Sequence, residues 1–141
     1  MKVERARLAR LQRLERIRDV ARTTALAEAG RAEGTLAQLL QLSERTRGLT
    51  TDYARRDDAA DAASLQQLQH FVRGLERISD TTEADIGRAR SHADTRATEA
   101  AMAERRRAAA GERAEAQARE IERKKAQSTQ ALTGRKVWHG S

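Results

Sequence analysis

The sequence predicts an all-α protein: a long antiparallel two-helix coiled-coil hairpin with an overhanging C-terminal helix. Three observations predict it. Proline is absent, aromatics make up only 2% of the chain and charged residues 35%, with much of the apolar fraction supplied by Ala. Such a composition covers a narrow seam between helices but cannot fill a thick interior. The second half carries an unbroken seven-residue apolar repeat, and a single strong break signal separates it from the first half. Low hydropathy and high charge also admit disorder, but the sustained seam weighs against it. At 141 residues the chain is expected to form one domain over 1–141.

Helix one is expected over about residues 3–50. Its apolar stripe, Leu14, Ile17, Ala21, Ala25, Ala29, Ala32, Leu36, Leu39 and Leu42, steps by about 3.5 residues but drifts by one position. Gly30 and Gly34 lie near the drift, each costing about 1 kcal/mol against Ala in a helix interior. The turn is expected over about residues 51–63, where "TTDYARRDDAADA" gathers threonines and aspartates just after Gly48. Ser64 is the expected N-cap of helix two, with Asp57, Asp58 and Asp61 favouring its positive end.

Helix two is expected over about residues 64–130. Its seam starts Leu65, Leu68, Val72, Leu75, Ser79, Thr82, Ile86, Ala89 and Ala93. It continues through Arg96, Ala100, Ala103, Arg107, Ala110, Ala114 and Gln117 to Ile121. From Ala89 onward it is nearly all Ala, so contact there should be close and thin. Residues 131–141, ending "VWHGS", are expected to form a flexible tail. At 1.5 Å rise per residue helix one would span about 70 Å and helix two about 100 Å, so the second overhangs the first.

Charge divides the chain. Residues 1–22 carry eight basic and three acidic side chains, and residues 104–136 carry ten and five. The stretch between them has ten basic and thirteen acidic residues. In a hairpin both basic segments meet at one end.

No catalytic constellation emerges. His70, His92 and His139 lack metal-ligand spacing and read as solvated helix-surface residues. No Gly-rich phosphate loop is present, and the aspartate cluster lacks the Gly and distal Glu of a Ca²⁺ loop. Neither an enzyme nor a cofactor nor a metal is expected. The absence of cysteine suits a reducing compartment. The N-terminus is too charged for a signal peptide, and Glu4, Glu15 and Asp19 argue against a transit peptide. No apolar run is long enough to span a bilayer, so a soluble, cytoplasmic protein is expected.

Four readings remain. A basic coiled coil that binds nucleic acid fits the pI near 10.9. Against it, the arginines are interleaved with Glu, and neither a stacking platform nor a groove-reading module is evident. A peripheral membrane helix over residues 3–20 would use Leu8, Leu11, Leu14 and Ile17, but lacks aromatic anchors. A generic structural coiled coil would self-associate through its seam. For a protein–protein module the telling stretch is "LQQLQHFVRGLERIS", where Phe71 and Ile78 stand one residue off the seam with Leu75 between them. Tyr53 lies near the same end. Tyr53 and Phe71 either stack to close the hairpin tip or form an exposed apolar–aromatic patch, and both can hold at once.

"DYARR", a polar gap and "LQQLQHFVRGLERI" resemble the FliJ family, the general component of the flagellar type III export apparatus, and its injectisome counterparts. The Arg-rich N-terminus with its leucine stripe and the Glu/Arg/Lys-rich C-terminal helix also match the family's layout, and the most specific part is residues 53–79. The resemblance implies a non-enzymatic stalk, at the cytoplasmic face of the inner membrane, that inserts its paired terminal end into the hexameric export ATPase. It further implies contacts with the cytoplasmic domain of the export-gate membrane protein and with export chaperones, and no specific nucleic acid. By position, the export-gate surface would fall on Leu42, Thr46, Leu49, Tyr53, Phe71, Leu75, Ile78 and Thr82. Thr46 and Leu49 are smaller than the residues some members carry. The ATPase would meet the basic end at Arg5, Arg10, Arg13, Arg105, Arg106, Arg113, Arg123 and Lys124.

Overall fold

A computed structural model describes the backbone of residues 1–56 and 61–139, with side chains through residue 135. Two helices account for nearly all of it: α1 over Lys2–Ala54 and α2 over Ala62–His139. The two pack against each other, and the described chain divides into two compact units. Unit 1 comprises Met1–Ala25 and Glu99–Ser141; unit 2 comprises Leu26–Thr98.

Both helices outrun the expected limits. With no Pro to interrupt it, α1 continues four residues beyond 50, and α2 runs through Leu132 to His139, where a flexible tail was expected. The sequence there, LTGRKVWH, holds no proline and no helix breaker besides Gly134. The start of α2 also differs. Its cap is Asp61 rather than Ser64: the Asp61 Oδ1 accepts the Ser64 backbone N–H at 2.7 Å. A carboxylate there satisfies an orphan donor and meets the positive helix end. That hydrogen bond also holds the Asp61 carboxyl below its ordinary range. Asp57 and Asp58 lie outside the described residues.

The seam of α2 is buried or half-buried from Leu68 to Ile121 at each position the repeat marks; only Leu65, at the start, is open to solvent. In unit 2 its core is Leu75, Thr82, Ile86 and Ala93; in unit 1 it is Ala100, Ala110, Ala114 and Ile121.

The corresponding face of α1 departs from the apolar stripe. A line of buried and half-buried positions runs Glu4, Leu8, Leu11, Glu15, Arg18, Arg22, Ala25, Ala29, Ala32, Leu36, Leu39, Ser43, Thr46, Thr50 and Tyr53, and Leu14 and Glu28 are half-buried beside it. Steps of four and three alternate throughout, without drift. Ile17, Ala21 and Leu42, assigned to the stripe, face solvent. Keeping one register over this length places Glu15, Arg18 and Arg22 inward near one end and Ser43 and Thr46 near the other. Arginine tolerates this because its methylene stem packs while its head reaches a carboxylate. Arg22 is ion-paired with Glu104, which also accepts from Arg107 at 2.9 Å. Ser43 Oγ donates to Glu83 at 2.9 Å, and the Thr46 hydroxyl is satisfied by the Leu42 carbonyl at 2.8 Å.

In unit 1, Glu4 pairs with Lys124, Arg22 with Glu104, and the Glu15 carboxylate lies over Gly111. In unit 2, Glu28 pairs with Arg96, Arg47 with Glu83, and Tyr53 with Phe71. Within each unit the partner's number falls along α2 as the number rises along α1.

Two substitutions test the thinness of this seam. Ala93 is 1% exposed, so Ala93→Leu should overpack it and lower stability by about 1–3 kcal/mol. Gly87 has open space where a Cβ would stand, so Gly87→Ala should raise stability by about 1 kcal/mol. Urea unfolding followed by helix circular dichroism reads both.

Candidate functional site

The eight positions expected to form one partner surface all belong to unit 2, and the structure separates them into two sets. Thr46, Leu75 and Thr82 are 4%, 7% and 3% exposed, turned into the seam between the helices. They support the surface from below and are not on it. Leu42, Leu49, Phe71 and Ile78 are 44–50% exposed, and Tyr53 is half-buried. Leu75 was expected both in the seam and on the partner surface; it packs inward, as its seam position three residues after Val72 requires.

Register explains why the four exposed side chains share an edge. Leu42, Leu49, Phe71 and Ile78 each precede a seam residue by one: Ser43, Thr50, Val72 and Ser79. Arg47 and Glu83 each follow one, Thr46 and Thr82, and these two meet at 2.6 Å along one edge of the helix pair. Residues preceding the seam therefore line the opposite edge. This edge carries apolar side chains where the other carries an ion pair. Leu26 and Leu40 are also exposed but lie off this line.

The aromatic pair anchors one end of the strip. The rings of Tyr53 and Phe71 meet edge to face, with centroids 4.8 Å apart and an interplanar angle of 64°. The Arg56 guanidinium stands over the Tyr53 ring at 4.1 Å. Both geometries are favourable for a π system, the first by quadrupole and the second by cation attraction. Phe71 nevertheless keeps about half its surface open, so stacking and exposure coexist. Arg56 was not singled out from the sequence; its signal was the three-residue spacing from Tyr53. A Cβ at Gly74, between Phe71 and Ile78, would meet nothing within 4 Å. Helix one therefore makes no close approach there.

The basic residues of unit 1 also divide. Arg5, Arg10, Arg13, Arg105, Arg106 and Arg113 are exposed and, among the described residues, make no ion pair. Arg123 donates to Glu120, and Lys124 to Glu4, so two expected contact residues are neutralised within the chain. Glu4 is the focus of this corner. It takes a hydrogen bond from Lys124 and is ion-paired with the N-terminal ammonium, whose nitrogen is 2.9 Å away. Together these lower its carboxyl from 4.5 to about 2. Glu104 is likewise held low, first by Arg107 and then by Arg22.

Among the described residues no group of three His, Asp or Glu side chains is arranged to hold a metal ion. Nor is any helix of these residues long and apolar enough to cross a membrane.

A folded-state carboxyl depressed below its unfolded value stabilises the fold fully above the unfolded value and loses that effect as pH falls to the folded one. For Glu4 the window runs from pH 4.5 down to about 2. Hydrogen exchange of the first turns of α1, corrected for intrinsic rate, should accelerate across that window. Glu4→Gln should remove the dependence and leave the fast exchange at every pH.

Compared with known proteins, the chain matches no protein-family model, no curated protein and no solved structure.

Proposed function

We propose that the chain is an antiparallel two-helix coiled-coil hairpin serving as a non-enzymatic, FliJ-like stalk of a type III protein export apparatus. The observation that carries the reading is the apolar edge of unit 2. Four large apolar side chains, one in edge-to-face contact with Tyr53, are left in solvent along a single line by a chain that has few to spare. Such a strip is what a docking partner covers. Phe71 and Ile78 fall in the segment whose sequence resembles the family. The alternating steps of three and four along both helices, and the opposed numbering of contacting residues, support the hairpin and coiled-coil description.

In this reading the strip of Leu42, Leu49, Phe71 and Ile78, braced by Tyr53, meets the cytoplasmic domain of the export gate. The exposed arginines Arg5, Arg10, Arg13, Arg105, Arg106 and Arg113 meet the hexameric ATPase, and export chaperones bind the same protein. A helix pair with an Ala-rich seam is thin enough to enter a ring, and its work is contact rather than chemistry. The protein then acts at the cytoplasmic face of the inner membrane.

The buried and exposed members of the strip give the test. Phe71→Ala with Ile78→Ala should abolish binding to the export gate while stimulation of the ATPase is retained. Stability should fall by about 1–2 kcal/mol, because each half-exposed side chain still buries apolar surface and Phe71 also contacts the Tyr53 ring. Leu75→Ala should instead cost about 2–3 kcal/mol, through a cavity in the seam. Gate binding that survives the first pair while ATPase stimulation is lost would overturn the assignment of surfaces.

A further inference from the structure

In unit 1, the acids of α1 are drawn toward the seam. Glu4 and Glu15 are half-buried in it, and Asp19, beside it, is ion-paired with Arg22 at 3.5 Å. The face turned away from the seam over residues 2–24 therefore holds no carboxylate. It presents the cations Lys2, Arg10, Arg13 and Arg16, all exposed, interspersed with Val3, Ile17 and Val20. These three aliphatics are the most exposed large apolar residues of the described chain, at 78%, 64% and 66%. The part of α2 in the same unit has no comparable face, since Glu112, Glu115 and Glu122 stand exposed among its arginines.

We propose that this outer face of α1 binds the surface of an anionic lipid bilayer. Charge complementarity selects an anionic occupant, and the aliphatics select lipid. A nucleic acid would take the cations and leave Val3, Ile17 and Val20 in water. An anionic bilayer takes both, phosphates to the guanidinium and ammonium groups and the branched side chains into the headgroup–acyl boundary. The leucines expected to contact a membrane, Leu8, Leu11 and Leu14, are half-buried against α2 and take no part. Ile17, the fourth residue of that expected set, is the one it shares with the outer face, which is legible only once the seam is placed. This face does not rest on the export reading, although Arg10 and Arg13 are shared with the proposed ATPase contact.

The test is co-sedimentation of the full chain with vesicles of phosphatidylcholine alone, or of phosphatidylcholine mixed with phosphatidylglycerol. Binding is expected only to the mixed vesicles. Arg10→Gln with Arg13→Gln and Arg16→Gln should weaken it at least about tenfold, each cation near an anionic surface contributing about 1 kcal/mol. Ile17→Ser with Val20→Ser should weaken vesicle binding about threefold or more and leave binding to a DNA duplex unchanged. Removing the same charge from α2, by Arg105→Gln, Arg106→Gln and Arg113→Gln, should change vesicle binding less than about threefold. Helical circular dichroism verifies that each variant is folded. Absence of binding to the mixed vesicles overturns the proposal. So does an α2 triple variant as weak as the α1 triple, or a serine pair that binds vesicles like the parent; net charge alone would then account for the attraction.

Discussion

The two helices depend on one constraint: a seam too thin to be held by bulk must keep its register over many turns. Its buried apolar residues are mostly Ala, with Leu75, Ile86 and Ile121 the large ones. Each buried methyl contributes little, so the stabilisation comes from many small increments and from helix propensity summed along the chain. A seam of near-identical small residues does not by itself reject a slip by one heptad. Polar pairs across it do. Ser43 and Arg47 both reach Glu83, Arg96 reaches Glu28, and Arg22 reaches Glu104. Solvent-exposed pairs of this kind add about 0–1 kcal/mol each. Their weight lies in specificity, because a slip would leave each of them unmatched.

That constraint also explains the exposed surface. Holding the register draws Glu15, Arg18, Ser43 and Thr46 inward and leaves Ile17, Val20, Leu42 and Leu49 outward. The outward aliphatics follow from which positions the register selects. In unit 2 they line an apolar edge with Phe71 and Ile78. In unit 1 they stand among cations on a face whose acids have been drawn toward the other helix. The two proposed surfaces differ in chemistry because the polar residues of α1 drawn inward differ, Ser43 and Thr46 in unit 2 and Glu4, Glu15, Arg18 and Arg22 in unit 1.

Much of this was legible in the sequence. The seam of α2 could be followed from Leu68 to Ile121 because its apolar repeat is regular. The all-helical class followed from composition. The seam of α1 was not legible in the same way. Hydropathy draws the stripe through Ile17, Ala21 and Leu42, whereas geometry keeps the alternating steps and accepts Arg18, Arg22 and Ser43. An arginine whose stem packs and whose head finds a carboxylate on the other helix carries no hydrophobic signal. The family resemblance placed Leu75 on the surface with Phe71, although its own repeat position put it inside. The Asp61 cap was missed because Ser64 also suits a helix start, and only the position of the first turn decides between them.

The register of α1 at Ser43 is the point on which the apolar edge of unit 2 turns, and the absence of native cysteine makes it directly measurable. Thiol modification rates of Leu42→Cys and Ser43→Cys, each the only thiol in its chain, read which side chain faces the seam. The account predicts that the residue-42 thiol reacts at the rate of an exposed thiol and the residue-43 thiol only through opening of the helix pair. A fast thiol at 43 with a protected one at 42 would restore the apolar stripe and contradict the account.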